Sequence, residues 1–367
     1  MDLALQGIKP IKDKLYKGAI DSHVHSFGKG IKGVEDLAAL QSEFGYTASN
    51  LLSCEAMDDA AQNALCIYYK LIAPNHYAYG GLHYRFPYSY AEETKKLMDI
   101  GLDGMKMVEN KPTIRKKLNM ASNDARYHDF YHYIEENKIP MIIHVADPEE
   151  FWNEEQIPSW AKEYGYYYGD GTFVTKEKIY EEVLDVLDQY PKLHATFAHF
   201  FFLSADLKRL SQWMDKYPYM NVDLVSGSEM YFNFTKDIEA SKDFFIRYQD
   251  RIIFGTDNFN LYDSVDIKNA IITNRYQHEF ITTNHVIPAW DKTIHGLGLS
   301  KEIQEKIFRK NFLRLAGERP KPIHIPLAID YLEERLKDNR YELSEEERAI
   351  ISQVKIYCIE KMHRNPL

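Results

Sequence analysis

Apolar residues fall along this chain in short runs, each followed by a stretch in which they recur every three or four positions. The short runs occupy residues 19–25, 49–53, 77–84, 104–108, 140–145, 194–201, 221–225 and 251–256. Residues 34–44, 58–73, 90–100, 124–137, 176–190, 204–217 and 234–249 carry helical spacing, as Leu37, Leu40 and Phe44 illustrate. Strand and helix in alternation predict a parallel sheet with helical crossovers. Eight repeats favour a closed α/β fold, the (β/α)8 TIM barrel, over an open doubly wound sheet. Residues 301–316 read as the last barrel helix, stopped by Gly317. Pro320, Pro322 and Pro326 then mark a linker, and 328–337 plus a helix opened by a Ser344/Glu347 capping box predict a C-terminal helical extension. The expected domains are therefore 1–317 and 318–367, with 8–17 as a short polar lead-in.

Two connections stand apart. Residues 147–175, after the fifth strand, hold Phe151, Trp152, Trp160, Tyr164, Tyr166, Tyr167, Tyr168 and Phe173. That ring density is wrong for disorder, and a long loop after a barrel strand lies on the C-terminal face, so a lid is expected. The plainer reading is a surface subdomain packing its own rings. Residues 258–290 read as a long polar and aromatic connection.

Composition narrows the function. With 367 residues, 45% hydrophobic, the chain can bury a large core, and a net charge of −10 disfavours nucleic acid and anionic membrane as partners. No run approaches a membrane span, and the first residues lack a basic region followed by an apolar core. Three scattered cysteines, Cys54, Cys66 and Cys358, look like reduced thiols, so a cytoplasmic protein is expected. The partner expected is a small molecule, with a homodimer as the base-rate assembly.

Chemistry in a barrel sits where strands end. The first strand ends in His23-Val-His25, two imidazoles on one face and within reach of one ion. The fourth carries Lys106 with Glu109 beyond, the fifth His144 and then Asp147, the sixth His199, the eighth Asp257. One histidine in an apolar strand is more often a satisfied core residue. Four histidines and an aspartate at strand ends would each need a separate partner, whereas a shared metal satisfies them together.

In order, His23-Val-His25, His144, His199 and Asp257 resemble the metal-site pattern of the amidohydrolase superfamily. Ile-Asp-Ser-His-Val-His, Phe-Gly-Thr-Asp and Ile-Phe-Arg-Lys-Asn-Phe-Leu-Arg-Leu resemble its amidohydrolase-related branch, which also includes decarboxylases of muconate-type and aromatic acids. The resemblance spans about residues 18–317 and implies that His23, His25, His144 and Asp257 bind one divalent metal, zinc first, with Mn2+ or Fe2+ as alternatives. It implies His199 and Asp257 as catalytic, Asp257 accepting the proton of an activated water.

Lys106 admits three readings: a carboxylated bridge to a second metal, a lysine paired with Glu109 or an aspartate, or a cation for a substrate carboxylate. Arg85, with His83 on the same strand face, and Trp152 of the lid are further substrate-binding candidates. The expected function is metal-dependent hydrolysis of a C–N or C–O bond at a carbonyl. A metal-dependent decarboxylase is the alternative, and a non-catalytic metal-binding barrel the third reading.

Overall fold

Each apolar run forms a strand in the computed structural model, which describes residues 15–86, 88–225, 227–260, 264–290 and 292–364. Most of the lead-in expected at 8–17 lies outside these residues. The strands are β1 (Ile20–His25), β2 (Ala48–Leu52), β3 (Tyr77–Gly80), β4 (Gly104–Asn110), β5 (Met141–Val145), β6 (Ala195–Phe197), β7 (Asn221–Asp223), β8 (Ile252–Ile253) and β9 (Asn258–Phe259). They lie side by side in the order β8-β7-β6-β5-β4-β3-β2-β1-β9, all parallel. Every residue of β1 to β8 is buried, which is why the runs are continuously apolar rather than alternating.

The eighth strand is the one that closes the sheet, and it does so in two pieces. Its first part pairs with β7, and its second pairs with β1 through Val24 and Asn258. Between them the Ser22 N–H donates to Phe254 O at 3.2 Å and the Asp257 N–H to His23 O at 3.0 Å. The sheet therefore returns to its first strand, and the fold is the α/β TIM barrel that the repeats predict.

Helices clad the outside for the reason their spacing gives. In Lys176–Gln189 the Thr175 hydroxyl caps the Lys178 N–H at 3.2 Å, and Ile179, Tyr180, Val183, Val186 and Leu187 form the buried stripe. Two expectations are corrected. The stretch 234–249 is not one helix: Ser228–Lys236 ends at Asp237, whose carboxylate starts Ile238–Arg247 by accepting from the Ala240 N–H at 3.1 Å. The connection 258–290 contains a 19-residue helix, Ser264–Thr282, and the first strand of a hairpin, Val286–Ala289 against Lys292–His295.

Beyond the barrel, Ile325–Lys337 and Glu345–Arg364 pack on each other and on Gln62–Ile72 and Tyr90–Ile100. The capping box is present: the Ser344 N–H donates to Glu347 Oε2 at 2.7 Å and the Glu347 N–H to Ser344 Oγ at 3.2 Å. No described helix is long and apolar enough to cross a membrane.

Candidate metal centre and substrate cavity

At the C-terminal end of β1, His23 and His25 turn their Nε2 atoms toward each other at 3.1 Å. What makes this contact informative is the other nitrogen of each ring. His23 Nδ1 lies 2.9 Å from Asp223 Oδ2, and His25 Nδ1 lies 3.3 Å from Leu52 O. Leu52 O can only accept, so His25 Nδ1 carries the proton. Burial pushes Asp223 up to about 8, and in its ionised form it takes the His23 Nδ1 proton too, so that both Nε2 lone pairs face the same spot. Asp257 Oδ1 completes the group, 3.3 Å from His25 Nε2 and 3.7 Å from His23 Nε2. The three ligand atoms all lie within 4.8 Å of one another. Two lone pairs and a carboxylate converging in a buried place favour a positive charge beside them.

A proton meets that need in part: against the pull of burial, Cys54 and the Asp257 carboxylate raise His25 to about 9. A divalent cation meets it better, since all three donors are of types that bind zinc. A carboxylate or carbonyl fixing the far nitrogen of a ligand imidazole is the outer support metal sites use. The residues fit the metal that the sequence implied.

His144, on β5, lies apart from that triple. Its Nε2 is 3.2 Å from Asp147 Oδ1, and Asp147 also accepts from Lys111 Nζ at 2.8 Å and the Tyr168 hydroxyl at 2.6 Å. Against the opposing effect of burial, the Lys111 ammonium and the His144 ring hold Asp147 below the usual carboxylate range. An ionised Asp147 takes the His144 Nε2 proton, so the lone pair of His144 resides on Nδ1. His199 stands between the two groups, its ring centroid 5.0 Å from that of His144 and 6.0 Å from that of His23. Burial, then the neighbouring His144, lowers His199 to about 3, so at neutral pH it offers one N–H and one lone pair.

Lys106 Nζ lies 3.2 Å from His23 Nε2, facing the convergence point, and burial lowers its pKa. Glu109 takes the Tyr84 hydroxyl at 2.7 Å rather than an ammonium hydrogen bond from Lys106. Asp223 is the residue the sequence reading passes over. Its Oδ2 orients the His23 ring, and its Oδ1 accepts the backbone N–H of His199 at 2.8 Å, so one buried carboxylate contacts two site histidines. It ends β7 as a lone acid among apolar residues, the same signal that singled out the other strand ends.

Above the histidines lies a cavity of about 470 Å3, lined by Lys111, His144, Asp147, His199, Asp257, Glu229 and Lys292 and by the rings of Phe151, Trp160, Tyr166, Phe202 and Phe232. Three of those rings belong to 147–175. Trp152 is not among them: it packs edge-on to Tyr168 in a small core with Phe151 and Phe173, and its indole N–H points to Val174 O. Arg85 and His83 also lie elsewhere, because β3 ends at Gly80 and the two residues follow in a turn rather than along one strand face. Arg85 lines a separate cleft of about 650 Å3 and pairs with Asp58 at 2.9 Å. His83 is buried against Phe86 and Tyr341.

Closed parallel barrel, a His-His-Asp group that could hold a metal at its strand ends and a cavity beside it define a TIM-barrel protein with a candidate metal site. The amidohydrolase family profile matches residues 32–316, and the chain belongs to that family. The match takes in His144, His199 and Asp257 and begins just after His25. A putative amidohydrolase from Staphylococcus aureus has a similar structure, with TM-score 0.55 at 14% identity, covering 82% of this chain and 99% of its own. An uncharacterised TIM-barrel protein from Bordetella bronchiseptica gives TM-score 0.52 at 14% identity, covering 81% of this chain and 98% of its own. No curated protein matches the sequence.

Proposed function

We propose that this chain is a metal-dependent hydrolase acting on a C–N or C–O bond at a carbonyl of a small, carboxylated or cyclic substrate. The observation that carries the reading is the pair of Nε2 lone pairs aimed at one point beside Asp257, each fixed by a buried acceptor on the opposite nitrogen. His23, His25 and Asp257 would hold the ion, with His144 Nδ1 as the further donor. Zinc suits this nitrogen and oxygen set first, with Mn2+ and Fe2+ as alternatives. When bound, such an ion supplies Lewis acidity and hydroxide at neutral pH.

The chain's own groups supply the rest. Asp257, held below the usual carboxylate range mainly by His25 against the opposing effect of burial, stays ionised and is partly open to the cavity. It accepts the proton of the attacking water and returns it to the leaving group. His199, neutral at pH 7, donates its N–H to the carbonyl oxygen as charge builds there. Lys106, buried beside His23, would pair with a substrate carboxylate that reaches the convergence point. The rings of 147–175 keep bulk water from the reacting carbonyl.

Metal analysis and a substrate screen test this together. Purified protein should carry about one divalent ion per chain, and chelation should abolish release of acid or ammonia from amides and lactones. Protein free of transition metal whose activity ignores chelators would overturn the proposal. Lys106 also favours a second reading, decarboxylation, since a cation beside the ligands can fix a carboxylate there; carbon dioxide release in the same screen would select it.

A further inference from the structure

We infer that the C-terminal helical pair is part of the metal site, holding in place the β2 connection that orients His25. This rests on the metal reading above. His25 Nδ1 is fixed by Leu52 O at 3.3 Å and approached by Cys54 Sγ at 3.5 Å, both at the exit of β2. The next residue, Glu55, is fully buried; its Oε1 accepts the Asn63 N–H at 3.1 Å, but the cation that faces its Oε2 does not come from the barrel. Arg335, on Ile325–Lys337, reaches in and donates from Nη2 to Glu55 Oε2 at 3.3 Å and to Glu93 Oε1 at 2.7 Å. The guanidinium lies 4.0 Å from the centre of the Phe86 ring, so the whole arrangement is out of water.

The grip extends along the segment. Tyr331 accepts from Asn63 Nδ2 at 3.2 Å, and Glu347 Oε1 accepts from the Ala60 N–H at 2.8 Å. Three side chains from the two C-terminal helices thus hold Glu55, Ala60 and Asn63, spanning the connection that begins where Leu52 and Cys54 meet His25. A buried carboxylate without a counter-charge moves toward water or takes up a proton. If Glu55 swings out, Cys54 and Leu52 move with it, because only Ser53 separates them. His25 then loses the acceptor that keeps its Nε2 lone pair bare. Arg335 and Glu347 are positioning residues: they touch neither substrate nor metal.

The test is zinc affinity of metal-free protein, measured by competition with a chromophoric chelator, with the Co2+ visible spectrum as a second readout. Arg335→Met and Glu347→Ala should each weaken zinc about tenfold or more and alter the Co2+ bands, while Arg335→Lys restores most of the affinity. Arg348→Ala removes a contact within the same helical pair, from Nη1 to Leu336 O, without touching the β2 connection, and should bind zinc as wild type does. Circular dichroism and thermal midpoints of the metal-free forms separate loss of fold from loss of site. Unchanged zinc affinity in folded Arg335→Met and Glu347→Ala, or an equal loss in Arg348→Ala, overturns the inference. Should Arg335→Met fail to fold, Glu347→Ala alone decides. Wild-type protein that binds no divalent ion would instead bring down the metal reading, and this inference with it.

Discussion

Replacing Asp223 with Asn changes one oxygen to an NH2 and leaves the shape intact, so it isolates the orientation of His23. In wild type, Oδ2 accepts from His23 Nδ1 at 2.9 Å while Oδ1 accepts the backbone N–H of His199 at 2.8 Å and of Val225 at 3.4 Å. An asparagine has one acceptor to place. With its oxygen toward the two backbone donors, its NH2 faces His23 Nδ1, which must then accept; the ring proton moves to Nε2, and the lone pair needed for a metal is gone. With the amide reversed, two buried backbone N–H groups face a donor. Either way the loss is about one charge-assisted hydrogen bond, ~1.5–3 kcal/mol. At about 1.4 kcal/mol per factor of ten, zinc affinity should fall roughly 10- to 100-fold. Zinc titration of the metal-free variant against a competing chelator reads this directly. Affinity within about twofold of wild type would refute the account of how the site fixes its tautomers.

Lys106→Met should leave zinc affinity equal or tighter, because the amine otherwise stands 3.2 Å from a ligand nitrogen, while turnover of carboxylated substrates falls; loss of metal binding would point instead to a lysine that ligates. Trp160→Ala should raise KM with little change in thermal midpoint, since the ring lines the cavity and is 54% exposed. Trp152→Ala should do the reverse, loosening 147–175 to limited proteolysis before it affects binding; identical behaviour of the two variants would contradict their placement. Burial lowers His278 to about 3, below its usual 6.5. The unfolded chain therefore takes up this proton before the folded one does, and the stability present above pH 6.5 is lost as pH falls toward 3. From pH 7 to 5.5 the loss from this residue is about 1 kcal/mol, and His278→Gln should flatten the urea-unfolding difference between those pH values by that amount.

The barrel was legible because its strands are buried on both faces, which leaves uninterrupted apolar runs that no surface strand would show. The site histidines were legible for the complementary reason: each is a polar group ending such a run. The helix Ser264–Thr282 was hidden because its inward face mixes Asn274, Gln277 and His278 with Ile267, Tyr276 and Phe280. Asn274 bonds Asn258 at 3.0 Å, Gln277 donates to Leu224 O at 3.3 Å, and His278 Nδ1 accepts the Tyr16 N–H at 2.9 Å. Buried polar residues held by such bonds blur the 3.6-residue apolar pattern. Arg85 and His83 went astray through strand length: the period-two argument runs only as far as the strand does, and β3 stops three residues before His83. Arg335 gave no signal at all, since its partners Glu55 and Glu93 are more than 240 residues away.

The backbone at the site carries a further feature that composition conceals. Ala146, between His144 and Asp147, has φ 64°; His199, Phe200, Phe201 and Phe202 run at 55°, 55°, 58° and 48°; Asp257 has φ 62°. All are left-handed, and none is glycine, at a cost of about 1–2 kcal/mol each. They fall after β5, after β6 and between β8 and β9, the places where His144, His199 and Asp257 leave the sheet. A strained conformation persists only where its surroundings over-determine it. Phe200 and Phe201 are fully buried, each offsetting about 1.5–3 kcal/mol, and Phe202 stacks on His199 with ring centroids 4.9 Å apart. The Asp257 N–H is held by His23 O, and that bond turns the carboxylate back over the two imidazoles. The phenylalanine run that reads as an apolar strand end is therefore what locks His199 in place, and the core sets the site before any ligand arrives.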